Sequence, residues 1–253
     1  MEEREFVVMR DGKRIYTTLR TEKGEGKRPV LILSHGFGGD GRGEEGFARY
    51  FAERGFITCA PDFAGGGRGS RSDGETWEMS PLTEVRDLFA VMDAVRTLEE
   101  ADDDRVFLFG ESQGGLVSSL AAAERPESVA GLVALFPAYV IPDDTRRRVP
   151  DPEQIPERMD VMGLTLGAVY HRDALSIDLW GLLPRYPRPV LLLHGTEDTL
   201  VPISYSERAA EIFPNACLIP VEGAGHGFGG EAWMLAARET ERFLNGILSG
   251  KTE

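Results

Sequence analysis

The feature that most constrains this chain is a run of three segments with no room between them. Arg105-Val106-Phe107-Leu108-Phe109 is apolar on both of its alternating faces, as a strand buried between two layers must be. Leu116-Val117-Ser118-Ser119-Leu120-Ala121-Ala122-Ala123 follows as a helix. Between them stands Gly110-Glu111-Ser112-Gln113-Gly114. A strand must therefore pass into a helix through one sharp turn with Ser112 at its apex. The pentad alone is weak evidence, since a chain with 30 glycines contains such groupings by chance. Its position between strand and helix is what gives it weight.

The same alternation runs through the 253 residues. Strands are expected over Glu5–Met9 and Arg14–Leu19, with Asp11-Gly12 as the hairpin turn. Pro29 opens a strand over Val30–Leu33. A helix over about 44–54 ends at Gly55, and Phe56–Ala60 is the next strand. Ser80 as a cap and Pro81 at the first helical position start another helix, on which Val85, Leu88, Phe89, Met92 and Val95 share a face. Strands over Val129–Leu135, Val190–Leu193 and Ala216–Pro220 and helices over Ile203–Ile212 and Glu231–Leu248 complete the series. The expected class is α/β, a mainly parallel sheet with helices on both faces. Residues 137–187 break the rhythm. They hold seven of the 15 prolines and show little periodicity, so they are expected to form a small inserted lid on a core made of residues 1–136 and 188–253. Asp102–Asp104 and Arg146–Arg148 read as solvated surface charges.

Three residues promise chemistry together. The hydroxyl of Ser112 is too weak a nucleophile unaided, and an imidazole such as His226 can remove its proton near neutral pH. A carboxylate would hold that ring in the correct tautomer. Asp198, fifth residue of His194-Gly195-Thr196-Glu197-Asp198, is the chosen acid, with Glu197 as its competitor. The backbone N–H groups of Gln113 and of Phe37, in the glycine loop His35-Gly36-Phe37-Gly38-Gly39, are the expected donors to a developing oxyanion. His35 and His194 stand at strand ends, where structural hydrogen bonding is expected.

A competing pattern exists. Gly36-x-Gly38-x-x-Gly41 follows a strand, and Asp62 comes about 20 residues later, as in a dinucleotide site. Asp40, Glu44 and Glu45 would crowd a pyrophosphate, and the serine, acid and base would be left without a role. No cofactor is therefore expected, and no His-Glu-x-x-His or Cys/His cluster calls for a metal.

Bulk properties narrow the partners. A formal charge of −14 disfavours nucleic acid and anionic membranes. No apolar run approaches a membrane span, and Met1-Glu2-Glu3-Arg4-Glu5 lacks the apolar core of a signal peptide, so a cytoplasmic location is expected. Cys59 and Cys217 lie in apolar strand-like runs and are expected to be buried free thiols. The expected partner is a small ester; oligomeric state is not readable.

The chain resembles the serine esterases of the α/β-hydrolase superfamily, above all the bacterial cinnamoyl or feruloyl esterase-like group. The resemblance covers nearly the whole chain and rests on His35–Gly39, Glu111–Gly115, Ile141-Pro142-Asp143-Asp144, His194–Asp198 and Gly225-His226-Gly227-Phe228. The chain order Ser, Asp, His is that of the superfamily. The resemblance implies hydrolysis of carboxylic esters through an acyl-enzyme. It also implies a lid that shapes the acyl pocket, where Asp144 and Tyr170 would bind a phenolic hydroxyl. Val161, Met162, Leu164, Leu166, Val169 and Trp180 offer apolar wall material, with Trp180 expected against the substrate. Glu111 departs from the group's usual histidine, and Gly65–Ser70 lacks its Gly-His-Gly-x-Ser. Amide, peptide or thioester cleavage by the same triad stays open, as does a non-catalytic binding module.

Overall fold

The computed structural model describes residues 1–24 and 26–250. In chain order the strands are β1 (Glu2–Arg10), β2 (Lys13–Thr21), β3 (Arg28–Ser34), β4 (Ile57–Pro61), β5 (Ala101–Glu111) and β6 (Gly131–Leu135), then β7 (Arg158–Val161), β8 (Leu164–Gly167), β9 (Val190–Gly195) and β10 (Ala216–Val221). The helices are α1 (Glu45–Ala52), α2 (Pro81–Val95), α3 (Gln113–Glu124), α4 (Ile141–Arg148), α5 (Ala168–Ser176), α6 (Leu179–Leu182), α7 (Ser204–Ile212) and α8 (Gly230–Leu248). Eight strands form one sheet in the order β1-β2-β4-β3-β5-β6-β9-β10. The β1–β2 and β2–β4 pairs are antiparallel, and every other pair is parallel.

The period of two along each central strand feeds two cores. Val30 and Ile32 of β3, Val106 and Leu108 of β5, and Val190 and Leu192 of β9 enter one core with α2, α3 and α7. Their neighbours Leu31, Leu33, Phe107, Phe109, Leu191 and Leu193 enter the other with α1 and α8. Burial on both faces explains why these strands read as unbroken apolar runs. The start of α2 is as the sequence implies. Ser80 accepts a hydrogen bond from Thr83 N–H, and Pro81 takes the first helical position, where no N–H is needed. The β1–β2 turn uses Asp11 and Gly12 at φ 50° and 80°, the left-handed pair a two-residue hairpin requires.

The inserted segment is more ordered than its composition suggests. α4, the β7–β8 hairpin and α5 lie over the carboxyl ends of the parallel strands. They share a small cluster of Val161, Leu164, Leu166, Tyr170 and Ala174 with Met79. Its flanks belong to the main core instead, where Tyr139, Ile177, Leu179, Leu183 and Tyr186 are buried with α3. The expected pair of buried thiols is half right. Cys59 is buried on central β4, but Cys217 is exposed, because β10 is the sheet edge. Among the described residues, no helix is long and apolar enough to cross a membrane.

Candidate active site

Ser112, Asp198 and His226 follow β5, β9 and β10, so three parallel strands deliver them to one end of the sheet. Ser112 sits at φ 52°, ψ −118°, a conformation side chains rarely adopt. Its surroundings enforce it. A Cβ on Gly110 would lie 2.2 Å from the Gly114 carbonyl oxygen, and one on Gly114 would lie 2.1 Å from the Ser34 carbonyl oxygen. Only glycine at both positions lets β5 turn this sharply into α3.

The three side chains make a continuous relay. His226 Nε2 lies 2.9 Å from Ser112 Oγ, and His226 Nδ1 lies 2.7 Å from Asp198 Oδ2. Asp198 is 8% exposed, and its other oxygen accepts from the N–H groups of Leu200 (2.9 Å) and Val201 (2.8 Å). A carboxylate so held keeps the Nδ1–H tautomer, which leaves Nε2 as acceptor for the serine proton. The competitor Glu197 is exposed and takes no part. His194, the first residue of that loop, is a brace. Its Nε2 is 2.8 Å from the Val201 carbonyl and 3.2 Å from Asp198 Oδ2, and its Nδ1 meets Ser206 Oγ at 2.7 Å. Burial lowers its pKa, which favours a neutral ring. His35 does the same for the glycine loop. Its Nε2 accepts from Phe63 N–H at 3.1 Å, so Nδ1–H donates to the Gly36 carbonyl at 2.8 Å. Burial lowers its pKa too.

Phe37 and Gln113 line the cleft beside Ser112, and neither N–H donates to another group among the described residues. The Gln113 side chain is engaged behind them. It donates to Glu84 Oε2 at 2.8 Å and accepts from the Tyr170 hydroxyl at 2.9 Å. Glu84 is buried on α2, and desolvation raises its pKa well above the usual range. This Glu84–Gln113–Tyr170 chain ties α2, the turn and α5 together. It has no signature in sequence, because its members are 29 and 57 residues apart.

The cleft is open to solvent and is walled largely by apolar side chains, with a few polar groups beside Ser112. Asp144, Tyr170, Val161 and Met162 all line it. Asp144 belongs to the helix α4 and is paired with Arg147. Trp180 does not line the cleft, contrary to the expectation from sequence. Its ring stacks on Tyr205 at 6.2 Å and lies under Arg208 at 4.0 Å, so the side chain is turned toward α7 rather than toward the site. Arg146–Arg148 are all exposed, as expected, and Arg148 in addition lines the cleft. Asp62, the acid of the dinucleotide pattern, is buried. It accepts from Gly41 N–H and binds Arg71. No metal-binding cluster occurs among the described residues.

A family model described as serine aminopeptidase, S33, matches residues 25–172. The chain belongs to this family of α/β-hydrolases. A second model, for TAP-like proteins, matches residues 179–245. The solved structure of Est1E from Butyrivibrio proteoclasticus with ferulic acid bound superposes with a TM-score of 0.87 at 28% identity, covering 96% of this chain and 99% of that one. The caffeoylshikimate esterase of Arabidopsis thaliana is 34% identical over 120 residues, 46% of this chain and 35% of that protein. An uncharacterised 31.7 kDa Escherichia coli protein is 33% identical over 130 residues, 50% of this chain and 44% of that protein. The matched stretch thus spans less than half the length of these two curated relatives.

Proposed function

We propose that this chain is a serine carboxylic ester hydrolase acting through an acyl-enzyme, with hydroxycinnamoyl (feruloyl-type) esters as its substrate class. The observation that carries the reading is the relay from Asp198 through His226 to Ser112, at 2.7 and 2.9 Å. Ser112 Oγ attacks the ester carbonyl carbon as His226 Nε2 takes its proton. The carbonyl oxygen becomes an oxyanion and is held by the N–H groups of Phe37 and Gln113. Collapse breaks the C–O bond, and His226 returns the proton to the leaving alcohol. Water, activated by His226, then releases the acid. Residues 137–187 supply the lid, and its part over the site is α4, β7–β8 and α5.

The substrate class rests on the likeness to Est1E and on two cleft residues. Tyr170 keeps a phenol at the cleft wall although its proton goes to Gln113, and Asp144 offers a carboxylate oxygen. Both can meet a substrate hydroxyl. The family description names an aminopeptidase, which makes amide cleavage the second reading. An aminopeptidase must hold a free α-ammonium. Among the described residues Asp144 is the one acid lining this cleft, and Arg147 already pairs with it. That charge balance favours an ester. The test is labelling by a fluorophosphonate with Ser112→Ala as control, followed by matched aryl, alkyl and aminoacyl substrates. Labelling of Ser112 with hydrolysis of esters over amides supports the reading. Absence of labelling, or faster aminoacyl amide cleavage, overturns it.

A further inference from the structure

The helix α4 carries three consecutive arginines after three residues that could partner them at i,i+3. Arg146 pairs with Asp143 at 2.8 Å, and Arg147 pairs with Asp144. The third member of the series breaks the pattern, because Thr145 stands where the acid would be. Among the described residues, Arg148 makes no ion pair, hydrogen bond or aromatic contact. It projects along the wall of the cleft that holds Ser112. Thr145 lines the same wall, is 0% exposed, and its Oγ1 has no partner. A helical threonine usually returns its hydroxyl to a carbonyl one turn back, so this orphan is unusual. A buried hydroxyl without a partner calls for a ligand group or water.

These two side chains offer donors, and Asp144, the one acid that lines the cleft with them among the described residues, is paired with Arg147. Asp151 shares a small second cleft with Arg148, but it is engaged by the Glu153 N–H and Gln154 Nε2. The nearby faces of α5 are neutral. The Tyr170 hydroxyl goes to Gln113, and burial lowers the pKa of His171, reinforced by the charge of Arg148. The C-terminal end of α4 favours a cation but cannot satisfy a guanidinium's five N–H donors. The wall is therefore locally positive in a chain whose formal charge is −14. We infer that Arg148 and Thr145 form an anchor for a carboxylate carried by the substrate away from the scissile carbonyl. The guanidinium fork takes the two carboxylate oxygens, and the Thr145 hydroxyl, closed off from solvent in this structure, reaches one of them by turning about its Cα–Cβ bond. The inference rests on the ester-hydrolase reading and narrows its substrates to anionic esters.

Two sources of the carboxylate are separable. One arm compares the p-nitrophenyl hemiester of a dicarboxylic acid with a neutral acyl ester of equal length. The other compares the cinnamate ester of a hydroxy acid with the methyl ester of that same compound. The readout is the ratio of kcat/KM, charged over neutral, for wild type, Arg148→Gln and Arg172→Gln. Arg172 is an exposed arginine of α5 that does not line the cleft, so it controls for loss of one positive charge. In one arm Arg148→Gln should lower the ratio about tenfold or more through KM, and salt should weaken the wild-type preference. Arg172→Gln should leave the ratio alone. An unchanged ratio in both arms, or an equal fall in the two variants, overturns the anchor. If neutral esters are still turned over in that case, the anchor alone has failed. If no ester is turned over and Ser112 resists the fluorophosphonate, the hydrolase reading has failed.

Discussion

Glu111 immediately precedes Ser112, and replacing it with glutamine should make the protein more stable at high pH. On β5 it shares a face with Phe107 and Phe109, the side of the sheet that α1 covers. There it meets Glu44 at the head of α1, whose carboxyl is 2% exposed and has one oxygen without a partner. Burial pushes the Glu111 carboxyl up to about 7, and burial together with the Glu111 charge raises Glu44 well above the usual range. A carboxyl raised on folding contributes stability that is intact below its unfolded pKa and is lost as pH rises through the folded one. The window therefore runs from about 4.5 to about 7. At about 1.4 kcal/mol per unit, that displacement is worth at most roughly 3.5 kcal/mol, and the partial exposure of Glu111 brings it nearer 1–2. Glutamine keeps the shape and cannot ionise. Buried His35, His171 and His194 act in the opposite sense on the acid side, but both proteins contain them, so they cancel in the difference. Urea unfolding at pH 5, 6, 7 and 8 measures it. The advantage of Glu111→Gln should be near zero at pH 5 and grow by about 1–2 kcal/mol by pH 8. A difference that stays flat across that range would refute the buried carboxyl pair.

Asp198→Asn should keep the fold and lose a factor on the order of 10³–10⁴ in kcat. The Leu200 and Val201 N–H groups will claim the amide oxygen, which turns the amide NH₂ toward His226 and forces the wrong tautomer. Glu197→Gln should stay within a few-fold of wild type, and the reverse ranking in steady-state kinetics would mean the acid is misassigned. The backbone at Glu157 and Ala168 is joined by a 3.0 Å hydrogen bond, so residues 158–167 can be replaced by two glycines that leave the two main cores intact and remove only part of the small cluster around Tyr170. That variant should reorder kcat/KM across a series of acyl groups, because it removes Val161 and Met162 from the cleft wall; an unchanged ranking in a folded variant counts against lid control of specificity. Asp144→Ala should flatten any preference for p-coumarate and ferulate esters over plain cinnamate, since a site built for a hydroxyl penalises its absence. Equal specificity constants for p-coumarate and cinnamate esters in the wild type would leave a general carboxylesterase.

What could be read from sequence was what repeats with a period or sits in a short local frame. The runs Val30–Leu33, Val106–Phe109 and Val190–Leu193 are apolar on both faces, and each is a central strand. The Ser112 turn, the Asp198 loop and His226 are each local motifs, and the structure brings them to one end of the sheet. Residues 137–187 were less legible because their stabilisation is not apolar periodicity. The segment Ile141–Arg148 resembles a charged turn, yet Pro142 at its start, acids in its first turn and arginines in its last make it a helix. The role of Trp180 depends on which way α6 packs, which no local pattern encodes. Glu84, Gln113 and Tyr170 meet only through the tertiary fold, as do Glu44 and Glu111. Cys217 is exposed because of where β10 falls in the strand order, which the alternation of strands and helices leaves undetermined.

The most direct test of the account is the turnover of a p-nitrophenyl ester by wild type and by Ser112→Ala, with unfolding curves to show that both are folded. The account predicts that Ser112→Ala lowers kcat/KM by at least roughly a thousandfold, and that adding His226→Ala costs little more, since the members act as a unit. Near-wild-type hydrolysis by the folded Ser112→Ala protein, freed of contaminating esterase, would contradict it.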